Sequence, residues 1–369
     1  MKNNPKEEIG DALSASTLAY VKNNDHVTPV ITQEMSLIDE IRMNERFSRR
    51  LIRTKEALFS VKINKWTKRK YIDSTKMGGW FLSELRMSVS AIRQHYPMHS
   101  LNPFVELFIR SVEDRRLFEL VFNIQSLTDD EVVKWVDVLN GCADSIRKEG
   151  NSSKFKKTMN DYQRLSNKNY RELLTYINAL FNRYSRLLVI RLDFGYMKEH
   201  LWPVVGESVV QYEAVKKHWE VLLRYMKTKL PTDCMVGFCW KLEYGLDKSF
   251  HYHVLIFLDG SKVREDVTIA RMIGEHWSST ITKGQGLYYN CNAYKDGYKA
   301  CGIGMVNHDD AVLRSGLEKA ALYMTKTDYY IKMKGIAGGR AFGKGIMPEL
   351  KTETRGRPRA TTKLISDGN

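Results

Sequence analysis

The chain has 369 residues, with 58 lysines and arginines against 43 aspartates and glutamates, so its formal net charge is +15. Hydrophobic residues make up 43% and charged residues 27%, proportions that exclude a wholly disordered or collagen-like protein. No run approaches the roughly 18 apolar residues needed to cross a bilayer, and the first residues lack the apolar core of a signal peptide. The sequence therefore predicts a cytoplasmic protein with no membrane partner.

The five cysteines are sparse for a chain of this length and include no CxxC pair. An odd, scattered set is typical of free thiols in a reducing compartment. A zinc site built on cysteines is disfavoured, because its ligands usually come as closely spaced pairs.

The excess of positive charge favours a polyanion as partner, since each phosphate that a lysine or arginine neutralises releases a counterion. Basic residues are densest between Arg42 and Lys70, and Trp66 and Tyr71 lie in or beside that run. Basic and aromatic residues alternate in this way on surfaces that bind single-stranded nucleic acid. A solvated helix face explains the run equally well at this stage.

The first half of the chain has long segments of helical periodicity at 80–94 and 130–148. The glycine- and serine-containing residues 148–154 predict a surface connection, after which 169–184 resumes a helix. The N-terminal region is therefore expected to be mainly helical.

From residue 187 the pattern changes to the alternation typical of strands, at 187–196, 235–244 and 251–258. Helices are predicted at 209–226, 267–278 and 311–330, with a short strand at 302–306 and an irregular stretch rich in tyrosine and glycine before it. The predicted fold class is α+β, with a central antiparallel sheet backed by helices and preceded by a mainly helical N-terminal domain.

The two central predicted strands form a hairpin that gathers metal-ligand side chains. His251 and His253 are two residues apart on one strand and therefore project from the same face. Folding the hairpin about its centre brings Glu243 opposite His251. Two imidazoles and one carboxylate suit a divalent cation, either Mg²⁺ or Mn²⁺. Taken alone, a His-x-His pair is more often structural.

The last predicted helix offers a nucleophile. Lys319, Tyr323, Lys326 and Tyr330 follow one another at helical spacing and line one stripe. Positive charge one turn from Tyr323 favours its phenolate form and could bind a phosphate. An ordinary amphipathic helix with exposed tyrosines is the structural alternative.

These segments together resemble the HUH endonucleases of rolling-circle replication initiators, in which two histidines flank a hydrophobic residue. The resemblance rests on the strand at 187–196, on Glu243-Tyr-Gly followed by His251-Tyr-His253, and on Tyr323-Met-Thr-Lys326. The Arg191-Leu-Asp-Phe segment, Phe342-Gly-Lys-Gly and the basic tail are most similar to the gene-two-type replication proteins of filamentous phages (inoviruses) and their relatives in integrated elements.

The resemblance implies a metal ion on Glu243, His251 and His253, nucleophilic attack by Tyr323, and charge compensation by Lys326. The expected product is a 5′-phosphotyrosyl enzyme with a free 3′-OH, formed on single-stranded or extruded origin DNA. One catalytic tyrosine is expected, with Tyr330 in packing or base stacking. Lys319 and Arg191 are candidate DNA contacts, although for Arg191 and Asp193 a structural ion pair is the preferred interpretation.

The C-terminal Arg355-Gly-Arg-Pro-Arg359 resembles an AT-hook core, in which Arg355, Arg357 and Arg359 would enter a narrow A·T minor groove. A nonspecific basic tail is the equal alternative.

The predicted organisation is an accessory or DNA-binding region at 1–165, a nicking domain at 180–350 and a basic tail at 351–369. The predicted function is nicking and rejoining of DNA to initiate rolling-circle replication of a phage or integrated element, with a host helicase and polymerase as candidate partners. A transposase or mobilisation nuclease of the same chemistry and a non-catalytic DNA-binding regulator are the alternatives.

Overall fold

The computed structural model describes residues 33–196, 212–245, 249–298, 300–334 and 340–349, together with the backbone of 19–23 and 26–30. The chain divides into two compact units, and each is described by itself. Unit 1 comprises Met1–Ser166 with Thr327–Lys334, and unit 2 comprises Asn167–Lys326 with Gly335–Asn369. Within the described ranges, no helix is long and apolar enough to cross a membrane.

Unit 1 is mainly helical. Its helices are α1 (Gln33–Leu51), α2 (Lys76–Glu84), α3 (Val89–His95), α4 (Pro103–Glu113), α5 (Leu117–Asn123), α6 (Asp129–Asn151) and the first part of α7 (Ser153–Arg183). Three antiparallel strand pairs accompany them: β1 (Ala19–Asn23) with β2 (His26–Val30), β3 (Phe59–Ile63) with β4 (Lys70–Ser74), and β5 (His99–Leu101) with β11 (Ile331–Met333).

Helix α6 begins where local side-chain chemistry directs it. The Thr128 hydroxyl accepts a hydrogen bond from the Glu131 amide, and the Glu131 carboxylate accepts one from the Thr128 amide at 2.7 Å. This capping box satisfies two backbone donors that the first turn leaves without partners.

The core of unit 1 is built on phenylalanines that pack edge to face. Phe81 lies 5.9 Å from Phe47, 5.8 Å from Phe59 and 5.5 Å from Phe108, measured between ring centroids. Aromatic pairs in this geometry contribute about 0.5–1.5 kcal/mol beyond the area they bury. The core therefore joins α1, α2, α4 and the base of the β3–β4 hairpin.

The described residues of unit 2 form one antiparallel sheet. Its strands are β6 (Arg186–Tyr196), β7 (Met235–Gly245), β8 (Ser249–Asp259), β9 (Gly286–Asn290), β10 (Gly304–Asn307) and β12 (Phe342–Lys344). They run in the order β10-β6-β8-β7-β12, and β9 also pairs with the C-terminal half of β6. Strand β8 is central and buried along almost its whole length.

Helices cover both faces of this sheet: the second part of α7, α8 (Tyr212–Lys229), α9 (Asp266–His276) and α10 (Ala311–Lys326). On one face Tyr176 of α7 packs against Phe257, with 6.3 Å between ring centroids. On the other face Trp219 of α8 stacks on Tyr252 at 5.2 Å. Residues of opposite parity along each strand therefore meet different helices.

The predicted α+β class is confirmed, with an antiparallel sheet and a mainly helical N-terminal region. The three strand pairs of unit 1 were not predicted, because each strand is only three to five residues long. The tyrosine-rich stretch expected to be irregular contains strand β9 and a 3-10 helix over Cys291–Gly297.

Two predicted boundaries in unit 1 were wrong. Residues 80–94 do not form one helix. They span the end of α2 and all of α3 except its last residue, with a break between the two helices. Residues 148–154 are not a surface connection, because α6 continues to Asn151 and α7 starts at Ser153. Gly150 lies within α6 and packs so closely on Ile52 that a Cβ would overlap the Ile52 side chain.

The last predicted helix, 311–330, was four residues too long. Helix α10 ends at Lys326, a 3-10 turn follows over Thr327–Tyr329, and β11 begins at Ile331. The Asn102 side-chain amide donates to the carbonyl of Tyr329 and its backbone amide donates to that of Tyr330, both within unit 1. These tertiary hydrogen bonds replace those of a longer helix.

Candidate active site

The sheet register of unit 2 sets the candidate site. Asp193 of β6 and Lys241 of β7 are the direct neighbours of His253 on either side of β8. Glu243 is the neighbour of His251, as the hairpin pattern predicted. Neighbours in an antiparallel sheet project from the same face, so these side chains converge.

Glu243, His251 and His253 place three ligand atoms together. The Glu243 Oε2 lies 3.4 Å from the His251 Nε2 and 3.3 Å from the His253 Nε2. Atoms bound to one divalent ion at about 2.1 Å lie about 3 to 3.5 Å from each other. The observed spacing therefore fits a divalent cation.

Local hydrogen bonding orients His251 for such a role. Its Nδ1 donates to the Ser249 carbonyl at 3.1 Å, which leaves the Nε2 lone pair directed to the side of Glu243. Histidines that bind metals are commonly fixed in this way by a second hydrogen bond. The described residues thus satisfy both the spacing and the tautomer that a cation requires.

Asp193 contacts the other histidine. Its Oδ1 lies 2.7 Å from the His253 Nδ1 and 3.8 Å from the Arg191 Nε. The predicted ion pair between Arg191 and Asp193 is present at 3.8 Å, and the same carboxylate lies closer still to the imidazole of His253. The sequence placed both residues on one strand face that could line the metal pocket, but it did not identify the contact between Asp193 and His253.

Tyr323, on helix α10, contacts the same histidine. Its hydroxyl lies 3.0 Å from the His253 Nε2, and the side chain is buried, with 5% exposed. The Arg191 guanidinium lies 5.0 Å from the centre of the tyrosine ring. The carboxylate of Asp193, the imidazole of His253 and the hydroxyl of Tyr323 thus form a continuous chain of polar contacts.

The charged forms of Asp193, His253 and Glu243 stabilise one another. Burial opposes ionisation of Asp193, but His253 and Arg191 outweigh it and lower the pKa of Asp193 to about 2. Burial alone would lower the pKa of His253, yet Asp193 and Glu243 raise it to about 9. Burial is likewise outweighed at Glu243, whose pKa falls well below its ordinary value beside the two histidines. A cation at this site would displace the proton of His253.

Two further residues shape the site, and only Lys241 was placed by the alternation of its strand, on the same face as Glu243. The Asn292 side chain accepts from the Arg191 backbone amide at 2.8 Å and donates to Asp266 at 3.0 Å. Lys241 is almost completely buried, with 2% exposed. Asn292 was missed because it lies about 100 residues from Arg191 in sequence and no local periodicity relates the two.

The remaining candidates differ in where the structure places them. Lys319 is exposed, one turn before Tyr323 on α10. Tyr330 is buried in unit 1, with 1% exposed. The side chain of Lys326 and the whole of Arg355, Arg357 and Arg359 lie outside the described residues.

The arrangement brings a tyrosine hydroxyl, a buried histidine–aspartate pair and candidate metal ligands to one place. Tyr323 offers a hydroxyl, His253 contacts its oxygen, and Asp193 fixes His253 from the opposite side. The adjacent Glu243 and His251 add the donors for a cation.

Comparison with known proteins places this site within a described domain family. The sequence profile of the YagK/YfjJ C-terminal domain matches residues 148–345, a range that includes Asp193, Glu243, His251, His253 and Tyr323. No curated protein and no solved structure matches the chain. Because the matched range covers more than half of its length, the chain belongs to the YagK/YfjJ C-terminal domain family.

Proposed function

We propose that this protein nicks and rejoins DNA with the help of a divalent metal ion and uses Tyr323 as its nucleophile. The observation that carries the proposal is the 3.0 Å contact between the Tyr323 hydroxyl and the His253 Nε2 beside the Glu243–His251 pair. Metal-assisted strand cleavage by a tyrosine requires a hydroxyl beside a set of metal-binding side chains, and both lie together here.

In the proposed reaction the Tyr323 oxygen forms a bond to phosphorus while the bond from phosphorus to the 3′ oxygen breaks. The tyrosine proton passes to solvent and the 3′ oxygen takes up a proton, which leaves a 5′-phosphotyrosyl enzyme and a free 3′-OH. Because the new ester conserves the energy of the phosphodiester, reversal joins strands without ATP.

Each residue of the candidate site has a role in this scheme. Glu243, His251 and His253 would hold Mg²⁺ or Mn²⁺, which supplies polarisation of the scissile phosphate when bound. Asp193 holds His253 in place, and Arg191 places positive charge beside the Tyr323 ring, where anionic character develops during attack. Lys319 and Lys326 lie one turn to either side and would contact flanking phosphates.

The proposed biological setting is initiation of rolling-circle replication of a phage or integrated element in the cytoplasm, with host helicase and polymerase following the nick. All five cysteines are free thiols, as a reducing compartment favours. Transposition or plasmid mobilisation would use the same chemistry, and a regulator would keep the fold without cleavage.

The test is cleavage of supercoiled and single-stranded DNA with Mn²⁺ or with EDTA. The wild type should form a covalent protein–DNA adduct in Mn²⁺ only, and Tyr323→Phe should form none. Tyr330→Phe is the matched control and should retain the adduct. An adduct that persists in Tyr323→Phe and maps to another tyrosine would disprove the assignment.

A second experiment separates the biological alternatives. Sequencing of the junctions that form on random oligonucleotides would show whether the enzyme closes circles, as replication requires, or joins unrelated ends, as transposition requires. A wild type that binds DNA but never cleaves it under either condition would leave the regulator as the correct function.

A further inference from the structure

The β3–β4 hairpin of unit 1 presents an exposed indole among cations. Trp66, in the loop between the strands, is 92% exposed, and Tyr71 on β4 is 42% exposed. Lys62, Lys65, Lys68 and Arg69 are exposed on the same short hairpin. A tryptophan so fully exposed leaves nearly all of its apolar area available to a partner.

The backbone of the loop holds Trp66 in this position. The Asn64 side-chain oxygen accepts from the Trp66 amide at 2.9 Å and from the Thr67 amide at 3.1 Å. The Asn64 carbonyl accepts from the Lys68 amide at 3.0 Å. The indole is therefore exposed by a defined turn, and the backbone that carries it needs little ordering when a ligand binds.

The same loop keeps a cation at a strained position. Lys68 has a φ of 57°, a left-handed conformation that glycine would adopt at lower cost. A lysine there carries a positive charge two residues after Trp66 in the same turn.

The charge of the hairpin selects the partner. No acidic residue occurs between Glu56 and Asp73, and Asp73 is paired with Lys62 at 2.8 Å. The exposed cations of the loop thus have a polyanion as their complement. Lysines that follow a phosphate backbone beside a ring that stacks on bases are the combination found in proteins that bind single strands.

We propose that the β3–β4 hairpin is a binding site for single-stranded nucleic acid, in which Trp66 stacks on a base and Lys65, Lys68 and Arg69 contact phosphates. A duplex would supply the phosphates but would keep its base faces stacked on one another. The exposed indole therefore favours the single strand. This proposal concerns binding by unit 1 and does not depend on cleavage at Tyr323.

The experiment measures binding of a fluorescent oligo-dT strand in EDTA by anisotropy, at several salt concentrations. Trp66→Ala should weaken binding by about 5- to 100-fold, because base stacking on one aromatic ring is lost. Trp66→Phe should recover most of the affinity. Both changes fall on an exposed side chain, so folding should be unaffected.

The basic residues are tested against a matched set. Changing Lys65, Lys68 and Arg69 together to Gln should lower the slope of log affinity against log salt by about 2, since each single-strand contact contributes about 0.7. The control changes the exposed Lys154, Lys156 and Lys157 of α7 to Gln, which removes the same charge from a helix of the same unit. The control should keep the wild-type slope.

Three results would overturn the proposal. They are a Trp66→Ala affinity within twofold of wild type, an equal loss of slope in the α7 control, or tighter binding of a duplex of equal length that depends on Trp66 to the same degree. None of them affects the Tyr323 adduct assay, so the two proposals fail or stand separately.

Discussion

At the scale of single residues, the contacts of His253 decide what the site can do. The imidazole has Asp193 at its Nδ1 and both Glu243 and Tyr323 at its Nε2. A ring held on both sides has one orientation, and preorganised orientation is what covalent and metal-assisted catalysis require. Substitution of a residue that contacts His253 should therefore change how well the imidazole binds a metal ion, although the histidine itself is kept.

Asp193→Asn should weaken Mn²⁺ binding by about 10- to 100-fold, because a residue that orients a metal-binding histidine typically has an effect of that size. Isothermal titration of the DNA-free protein with Mn²⁺ measures it directly. Asp259→Asn is the control, since Asp259 lies at the other end of β8 and accepts from Ser261. Equal Mn²⁺ affinity in Asp193→Asn and wild type would contradict the role given to Asp193.

Glu84 in unit 1 links stability to pH. Burial raises its pKa to about 7, the Asn44 amide that donates to it at 2.9 Å opposes the rise, and Glu40 adds to it. The folded state thus prefers the protonated form, so this group lowers stability as pH rises above its ordinary value of 4.5, and the loss is complete above about 7.

Glu84→Gln should therefore stabilise the protein by on the order of 2 kcal/mol at pH 8 and have little effect at pH 4.5. Urea unfolding at the two pH values gives the difference. The exposed Glu56→Gln should change the free energy of unfolding by less than about 0.5 kcal/mol at either pH. A Glu84→Gln effect that does not vary with pH would show that burial does not shift this carboxyl.

At the scale of elements, helix α10 positions Tyr323 through a close backbone crossing. A Cβ at Gly316 would overlap the carbonyl of Cys301, and one at Gly302 would overlap the backbone of Leu317. The two glycines let the segment before β10 touch the helix directly. Tyr323 follows Gly316 by seven residues, or about two turns, so a displaced helix would move its hydroxyl away from His253.

Gly316→Ala should destabilise the protein by about 1–3 kcal/mol, despite the higher helix propensity of alanine, because the backbone must move apart. Adduct formation per folded molecule should also fall. Gly141→Ala in α6, where a Cβ meets no atom within 4 Å, should instead stabilise by about 0.5–1 kcal/mol. Thermal unfolding compares the two, and a Gly316→Ala protein as stable as wild type would refute the crossing argument.

At the scale of the whole molecule, unit 1 is discontinuous in sequence. Thr327–Lys334 belongs to it, and there Tyr329 donates its hydroxyl to Glu45, a carboxylate only 2% exposed that also pairs with Arg49. The stability of unit 1 therefore depends on residues that follow Tyr323 by only a few positions.

Tyr329→Phe should destabilise unit 1 by about 1–3 kcal/mol, because the buried carboxylate of Glu45 loses a donor. Hydrogen exchange read by mass spectrometry should show less protection in α1 peptides and unchanged protection in β8 peptides. Tyr294→Phe, on a ring that is 45% exposed, should leave both unchanged. Unaltered exchange in α1 would mean that the hydroxyl contributes nothing to unit 1.

The sequence by itself determined the parts of the site that depend on local periodicity. Alternation along β7 and β8 placed Glu243, His251 and His253 on one face and opposed Glu243 to His251, because a hairpin with a short turn has few possible registers. Helical spacing identified the helix that carries Tyr323. The α+β class followed from the change of period near residue 187.

Only the tertiary structure decided the contacts between segments far apart in sequence. Asp193 and His253 are 60 positions apart in sequence, and Tyr323 and His253 are 70 positions apart. Contacts at such separations produce no local periodicity from which they could be predicted. The end of α10 was set by the pairing of β11 with β5 and by Asn102, against a continuing helical pattern. Local propensity is a weak preference of a few tenths of a kcal/mol per residue, so long-range hydrogen bonds and packing override it where the chain enters another unit.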